Sequence, residues 1–348
     1  MTHSKNAMAK KEKSKLPRVL FVVGQTSSSK TSVSMQIARM FSGEIINADA
    51  RQVYKGFTIG TGKPPGRRGK FRGHNAYFVR VPYAHLIEEM YRRTYKNKKD
   101  LPQYSEVPHY LMDFLPPEKL ISVAEWRERA VKAIKGITRR GHLPIVVGGT
   151  GLYIKALIDN FSIPKVPPNP GLRSSFEKQP LDKLVNHLLT IDPSADTSVD
   201  LKNQRRVIRA IEICTFTGKP IKATRVKKPP IIDAYQIAIK FSREEIRRRI
   251  DISIDRMMEE GWPEEVRKLH KNGISWLAPA MTSIGYRDMA RYIKGEIMIE
   301  EAIRLTKIAT YQYAKRQETW FKRDPRIHWV NGEKQAVELV TRWMEETK

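Results

Sequence analysis

Sulfur chemistry is nearly absent: Cys214 is the single cysteine in 348 residues, which excludes an intramolecular disulfide and any zinc site built on cysteines. Such usage fits a reducing compartment, so a cytoplasmic protein is expected. No apolar run approaches the ~20 residues of a membrane-spanning helix, and Val19 to Val23 is too short for the apolar core of a secretory signal. Carboxylates are in short supply, 37 against 64 Lys and Arg, leaving a formal charge of +27 and a pI of about 10.1. That excess implies a phosphate-rich partner. The basic residues are dispersed along the chain rather than gathered on one helix, which favours nucleic acid over a lipid surface. No internal repeat occurs. With 40% hydrophobic residues the chain can bury a full core, as one α/β domain with an insert or as two domains.

What is present begins with Gly24-Gln25-Thr26-Ser27-Ser28-Ser29-Lys30-Thr31, close to the phosphate-binding pattern Gly-x-x-x-x-Gly-Lys-Ser/Thr. Val19-Leu20-Phe21-Val22-Val23 supplies a buried strand before it, and Val33, Met35, Ile37, Ala38 and Phe41 give the run after it a helical period. Backbone N–H groups, the helix dipole and the Lys30 ammonium converge on one anion site, with the Thr31 hydroxyl placed for magnesium. Ser29 stands where glycine is expected. A positive φ there costs a serine about 1–3 kcal/mol.

Further along, Glu44-Ile45-Ile46-Asn47-Ala48-Asp49 reads as a strand ending on a carboxylate beside the phosphate loop. Asp49 is a candidate for chemistry; the plainer reading is a loop-ordering or helix-capping aspartate. Residues 61–106 carry eleven Lys/Arg against four Asp/Glu, interleaved with Phe71, Tyr77, Phe78, Tyr83, Tyr91, Tyr95 and Tyr104. They suit either an RNA-gripping, base-stacking surface or a subdomain that buries its aromatics. Ser122-Val123-Ala124-Glu125 is a capping box, and Pro144 to Val147 a buried strand running into Gly148-Gly149-Thr150-Gly151. That strand ends without the acidic residue a nucleoside-triphosphate hydrolase places there, which weighs against an ATPase.

Prolines 164, 167, 168 and 170 open a helical insert with helices over Leu181 to Ile191 and Asn203 to Thr217, the latter stopped by Gly218. Its basic start holds Arg205, Arg206 and Arg209. The expected order is therefore a basic tail (1–17, solvated or RNA-binding), a core (18–163, with the 61–106 excursion), a helical insertion domain (164–230), a return to the core (231–330) and a C-terminal helix (331–348).

Taken together, the loop, Asp49-Ala50-Arg51-Gln52-Val53-Tyr54-Lys55-Gly56 with Ile59-Gly60-Thr61-Gly62-Lys63, Val107-Pro108-His109, and Gly148 to Tyr153 resemble the tRNA dimethylallyltransferases of bacterial type. The likeness extends through Arg205-Arg206 with Arg209-Ala210-Ile211-Glu212, Ile284-Gly285-Tyr286-Arg287, and Ala314-Lys315-Arg316-Gln317 with Thr319-Trp320. It implies a P-loop-like parallel sheet with a mainly helical insertion, and transfer of a dimethylallyl group from dimethylallyl diphosphate to the exocyclic amine of the adenosine 3′ to the anticodon. By that resemblance Thr26, Lys30 and Asp49 are catalytic. Residues Gly24 to Thr31 with Arg249 hold the diphosphate, and Thr31 holds Mg2+. Asp49, Ala50, Arg51, Gln52, Thr150, Arg205, Arg206, Arg209, Ile284, Gly285, Tyr286, Arg287, Lys315, Arg316, Gln317, Thr319, Trp320 and Lys322 meet the tRNA, and the protein is a monomer.

Five positions depart from the family pattern: Gln25 for proline, Ser29 for glycine, Ala50 for serine, Ser253 for an arginine and Tyr311 for an arginine. Arg249 or Arg256 is then expected to compensate at the diphosphate. Competing readings are a tRNA-binding protein with a decayed loop, prenyl transfer to free adenosine monophosphate, and a kinase.

Overall fold

Eight strands form one sheet in the computed structural model, which describes residues 16–82 and 104–346. In chain order the first unit contains β1 (Arg18–Val23), α1 (Lys30–Met40), β2 (Gly43–Asn47), β3 (Gly66–Phe71), β4 (His74–Pro82), β5 (Tyr104–Tyr110), α2 (Val123–Arg139), β6 (Leu143–Gly148) and the start of α3 (Gly151–Ile158). A second unit, Lys155–Ile231, carries α4 (Pro170–Glu177), α5 (Leu181–Ile191), α6 (Gln204–Thr217) and α7 (Ile221–Thr224). The first unit then resumes with β7 (Asp233–Ile239), α8 (Arg243–Glu259), α9 (Trp262–Lys271), α10 (Tyr286–Ile293), α11 (Ile299–Phe321), β8 (Ile327–Val330) and α12 (Glu333–Glu345).

The strand order is β3-β4-β5-β2-β6-β1-β7-β8. Six strands, from β5 to β8, run parallel; β4 turns back against β5 and β3 against β4. The parallel strands read as continuous apolar runs because helices cover both faces, and β1, β2 and β6 are almost wholly buried. Leu20, Val22, Ile37, Ile45, Ile145 and Ile237 pack together in the core, leaving the carboxyl ends of β1, β2 and β6 side by side, where an open α/β sheet binds ligands. The Ser122 capping box starts α2, with Ser122 Oγ and the Glu125 carboxylate each accepting the other's backbone N–H.

The β3–β4 hairpin makes up most of the described part of the basic, aromatic excursion. Tyr77 and Phe78 are buried, while Arg67, Arg68, Lys70 and Arg72 are exposed. These two aromatics are core rather than base-stacking surfaces. Tyr83, Tyr91 and Tyr95 of that excursion and residues 1–15 of the basic tail lie outside the described residues.

In the second unit Leu184, Leu188, Val207, Ile211 and Ile221 make a separate small core. Gly218 ends α6 in the left-handed conformation.

Candidate functional site

The loop after β1 turns sharply before α1. Ser27 and Ser29 both adopt positive φ, 57° and 58°, so Ser29 takes the conformation that ordinarily selects glycine. Ser28 Oγ donates to the Gln25 carbonyl at 2.7 Å, and the Lys30 ammonium donates to the same oxygen. The serine that replaces glycine has acquired a partner: Arg249 of α8 donates to Ser29 Oγ at 3.0 Å while its Nε holds Glu245 at 2.7 Å. A guanidinium therefore sits on the phosphate loop itself.

Asp49 follows β2, and its orientation is fixed from both sides. Asn47, 2% exposed, accepts the Asp49 N–H on Oδ1 (3.1 Å) and donates from Nδ2 to the carbonyls of Asp49 (3.1 Å) and Leu111 (2.9 Å). Asp49 Oδ1 accepts the N–H groups of Arg51 (2.7 Å) and Gln52 (3.4 Å). One carboxylate oxygen thus orders the loop, as the plainer reading has it. The other, Oδ2, has no hydrogen-bond partner among the described residues.

A cavity of ≈ 660 Å³ joins these elements. It is lined by Thr26 to Thr31, Asp49 to Gln52, Thr150, Ser253 of α8, and Tyr313, Arg316 and Gln317 of α11. Burial draws the Lys30 ammonium down to about pKa 8, offset in part by the Asp49 charge. The buried His109 imidazole, against the Val107 carbonyl at 2.9 Å, is lowered to about 4 and is neutral near pH 7. Tyr313, which the sequence reading passed over, lies near Asp49 and Thr150 at the cavity wall; burial foremost, then the Asp49 charge, raises its phenol pKa. Thr150 Oγ1 also accepts the Ala50 N–H at 3.0 Å.

Magnesium favours few protein ligands together with substrate phosphates and water. The exposed Thr31 hydroxyl at the cavity wall suits that mode, and no cluster of three His, Cys, Asp or Glu with metal-ligand geometry occurs among the described residues.

Several expected tRNA-contacting side chains are placed otherwise. Gln317 is 5% exposed: Oε1 accepts the Thr26 N–H at 2.8 Å and Nε2 donates to the Gly149 carbonyl at 2.9 Å, so it ties the phosphate loop to the glycine turn after β6. A Cβ at Gly149 would lie 2.0 Å from that amide, which is why glycine stands there. Tyr286 is fully buried, its hydroxyl donating to Glu265 at 2.7 Å. Glu265 also accepts the N–H groups of Thr58 (2.9 Å) and Ile59 (2.8 Å), so it holds the loop after Asp49 from α9. Gly285, with φ +81°, faces Trp262, whose ring a Cβ would meet at 2.1 Å.

Arg209 in the second unit is committed to Glu212 at 2.9 Å and the Val166 carbonyl at 2.8 Å, and Arg206 pairs with Asp200 at 2.9 Å. Arg205 is exposed. Arg51 donates to Thr282 Oγ1 at 2.8 Å, and Gln52 to the Gly62 carbonyl at 3.1 Å. Ile284 lines the cavity and Arg287 is exposed. Lys315 and Arg316 are exposed, Thr319 bonds the Lys315 carbonyl at 3.0 Å, Trp320 lies over Gly151, and Lys322 pairs with Glu318 at 2.6 Å.

Tyr311 turns away from the cavity to the Asp251 carboxylate, whereas Ser253 opens onto it. Arg256, the other candidate to compensate, lines the cavity and pairs with Glu260 at 3.4 Å.

A family model described as IPP transferase matches residues 88–324. The chain is 33% identical over 337 residues to a tRNA dimethylallyltransferase of Roseiflexus sp. (strain RS-1), covering 94% of this chain and 99% of the relative. It is 36% identical over 317 residues to the enzyme of that name from Thermomicrobium roseum, covering 90% and 86%. Among solved structures, a tRNA delta(2)-isopentenylpyrophosphate transferase from Staphylococcus epidermidis superimposes with a TM-score of 0.61 at 32% identity, covering 95% of this chain and all of that one. A eukaryotic dimethylallyltransferase described as acting on tRNA gives 0.68 at 25% identity, covering 90% and 73%.

Proposed function

The chain belongs to the IPP transferase family, and from that premise we propose how its own residues carry out prenyl transfer to tRNA. The protein is a tRNA dimethylallyltransferase: a dimethylallyl group passes from dimethylallyl diphosphate to the exocyclic amine of the adenosine 3′ to the anticodon, and diphosphate is released. Transfer to free adenosine monophosphate and a decayed binding protein are not favoured.

Carbon–oxygen cleavage leaves its electron pair on diphosphate, and the amine nitrogen forms the new bond to carbon. The Lys30 ammonium, the N–H groups of the loop after Thr26 and the Arg249 guanidinium held on Ser29 supply positive charge beside the cavity where the leaving group would gather negative charge, the arrangement that most lowers such a barrier. As the amine is alkylated it becomes acidic, and the free Oδ2 of Asp49 accepts its proton. Thr31 would hold magnesium, which neutralises phosphate charge when bound. To reach the cavity the adenine leaves its stack, with Arg51, Arg316 and Tyr313 at the wall it passes. A monomer working in the cytoplasm completes the proposal.

The observation that carries it is the opening of one free carboxylate oxygen and one cationic phosphate loop onto a single cavity. The test supplies labelled dimethylallyl diphosphate, magnesium and unmodified tRNA. Label enters tRNA and not adenosine monophosphate, and Asp49→Asn lowers kcat on the order of 10²–10⁴-fold with tRNA binding retained. Tight tRNA binding without label would establish the decayed reading instead.

A further inference from the structure

A second concavity, of ≈ 450 Å³, lies between the β3–β4 hairpin and α2, apart from the donor cavity but sharing Met112 in its wall. Its rim is cationic. Lys55, Arg68, Arg129, Lys132 and Arg140 all line it, over a floor that includes Ala76, Met112 and Phe114.

The acidic groups in reach are already taken. Asp113 is held by Lys63 and Arg68, which keeps its carboxyl below the ordinary range, and also accepts the Gly56 N–H at 3.1 Å. Glu44 is 1% exposed and bound by Arg140 at 2.7 Å, by His142 at 2.7 Å and by the Tyr110 hydroxyl at 2.5 Å. Lys55, Arg129 and Lys132 are exposed and have no carboxylate partner among the described residues; Arg129 rests 5.5 Å above the Phe114 ring. Such unpaired charges gathered along one wall raise the local potential for anions well above that of a scattered surface.

Geometry argues for an extended anion. From Arg129 to Arg140, α2 advances about 16 Å at 1.5 Å per residue, so the groove it walls is longer than one phosphate, with the unpaired Arg129 and Lys132 at one end and Arg140, held by Glu44, at the other. Ala133 and Gly136, facing the groove, leave room for a strand to lie along it. A lone phosphate would fill only part of this groove; a polynucleotide backbone can run along it, past Lys55, Arg129 and Lys132.

We infer that this groove is an additional contact for the phosphate backbone of tRNA, supplied by the hairpin and α2 rather than by the helices that line the donor cavity. The inference rests on tRNA being the substrate. It gives the hairpin a function: Arg68 anchors it through Asp113 to the loop that follows Asp49, so one rigid piece joins the groove to the reacting carboxylate.

The test compares wild type with the triple variant Lys55→Gln, Arg129→Gln, Lys132→Gln, and with a charge-keeping triple (K55R, R129K, K132R). Binding of labelled unmodified tRNA is followed from 50 to 200 mM KCl, and prenyl transfer is read in the same mixtures. Expected for the Gln triple is at least a tenfold rise in Kd at 100 mM salt and a salt slope shallower by about two, since each lost phosphate contact removes roughly 0.7–0.9. Its kcat at saturating tRNA and its KM for the prenyl donor hold, and the charge-keeping triple behaves as wild type. Unchanged Kd and slope in a Gln triple that melts as wild type would overturn the inference. Wild type that binds tRNA with the steep slope but transfers no label would refute the enzymatic reading while leaving the groove standing.

Discussion

Ser29 offers the sharpest quantitative test, because a single side chain carries two opposed effects. Its φ of 58° costs a non-glycine residue about 1–2 kcal/mol, which Ser29→Gly relieves. Against this, glycine adds freedom to the unfolded chain, about 0.5–1 kcal/mol, and loses the half-exposed hydrogen bond from Arg249, about 0.5–1.5 kcal/mol. The terms nearly cancel, so the glycine variant should lie within about 1 kcal/mol of wild type. Ser29→Ala loses the hydrogen bond yet keeps the strained backbone, and should be the least stable of the three, by about 1 kcal/mol relative to glycine. Urea titrations of the three proteins, compared at constant m, supply the order. Both substitutions release Arg249 from the loop, so the KM for dimethylallyl diphosphate should rise while tRNA affinity holds. An alanine variant as stable as the glycine one would refute the strain argument, and an unchanged donor KM would refute the placing of Arg249 at the diphosphate.

Two further outcomes follow from the cavity. Lys30 is cationic below about pH 8 and neutral above it, because burial lowers its pKa; kcat/KM for the prenyl donor should therefore fall up to tenfold per unit above pH 8. Lys30→Arg, which does not titrate there, should flatten that limb in a profile from pH 6.5 to 9.5, and persistence of the limb would assign it elsewhere. Gln317→Leu preserves bulk but strands the Thr26 N–H and the Gly149 carbonyl, costing about 2–3 kcal/mol of stability and on the order of 10–100-fold in kcat/KM. Equilibrium tRNA binding should stay within about a factor of two; a tenfold loss of binding with the rate preserved would make Gln317 a tRNA contact.

The phosphate loop was legible because its chemistry is local: an apolar strand, a short polar turn, Lys30-Thr31 and a helical period occupy one continuous stretch. Asp49 could be read for the same reason, as the polar end of a buried strand. What escaped reading depends on partners far along the chain. Gln317 sits in a helix among Lys315, Arg316 and Glu318, and only the fold turns it inward by bringing Thr26 and Gly149 to it. Glu265 is one of two adjacent acidic residues of α9, yet it and not Glu264 gathers the backbone of residues 58 and 59. Arg209 looked like part of a nucleic-acid face until Glu212, one turn away and 3% exposed, claimed it and Arg173, bringing its own pKa to about 2. The β3–β4 hairpin gave a poor strand signal since Gly66, Arg67, Arg68, Gly69 and Lys70 have no apolar alternation; pairing with β4 makes it a strand.

The outermost strands also bear on how the protein behaves at high concentration. A row of unpaired backbone N–H and C=O groups on a flat, apolar border invites another copy to dock and extend the sheet. Here one border is a Gly-Arg-Arg-Gly-Lys-Phe ribbon whose like charges repel a second copy, and the other is a four-residue strand too short to template much pairing. Self-association by strand addition is thereby disfavoured at both margins, even though Arg67 and Arg68 spend part of their charge on Glu106 and Asp113 within the chain.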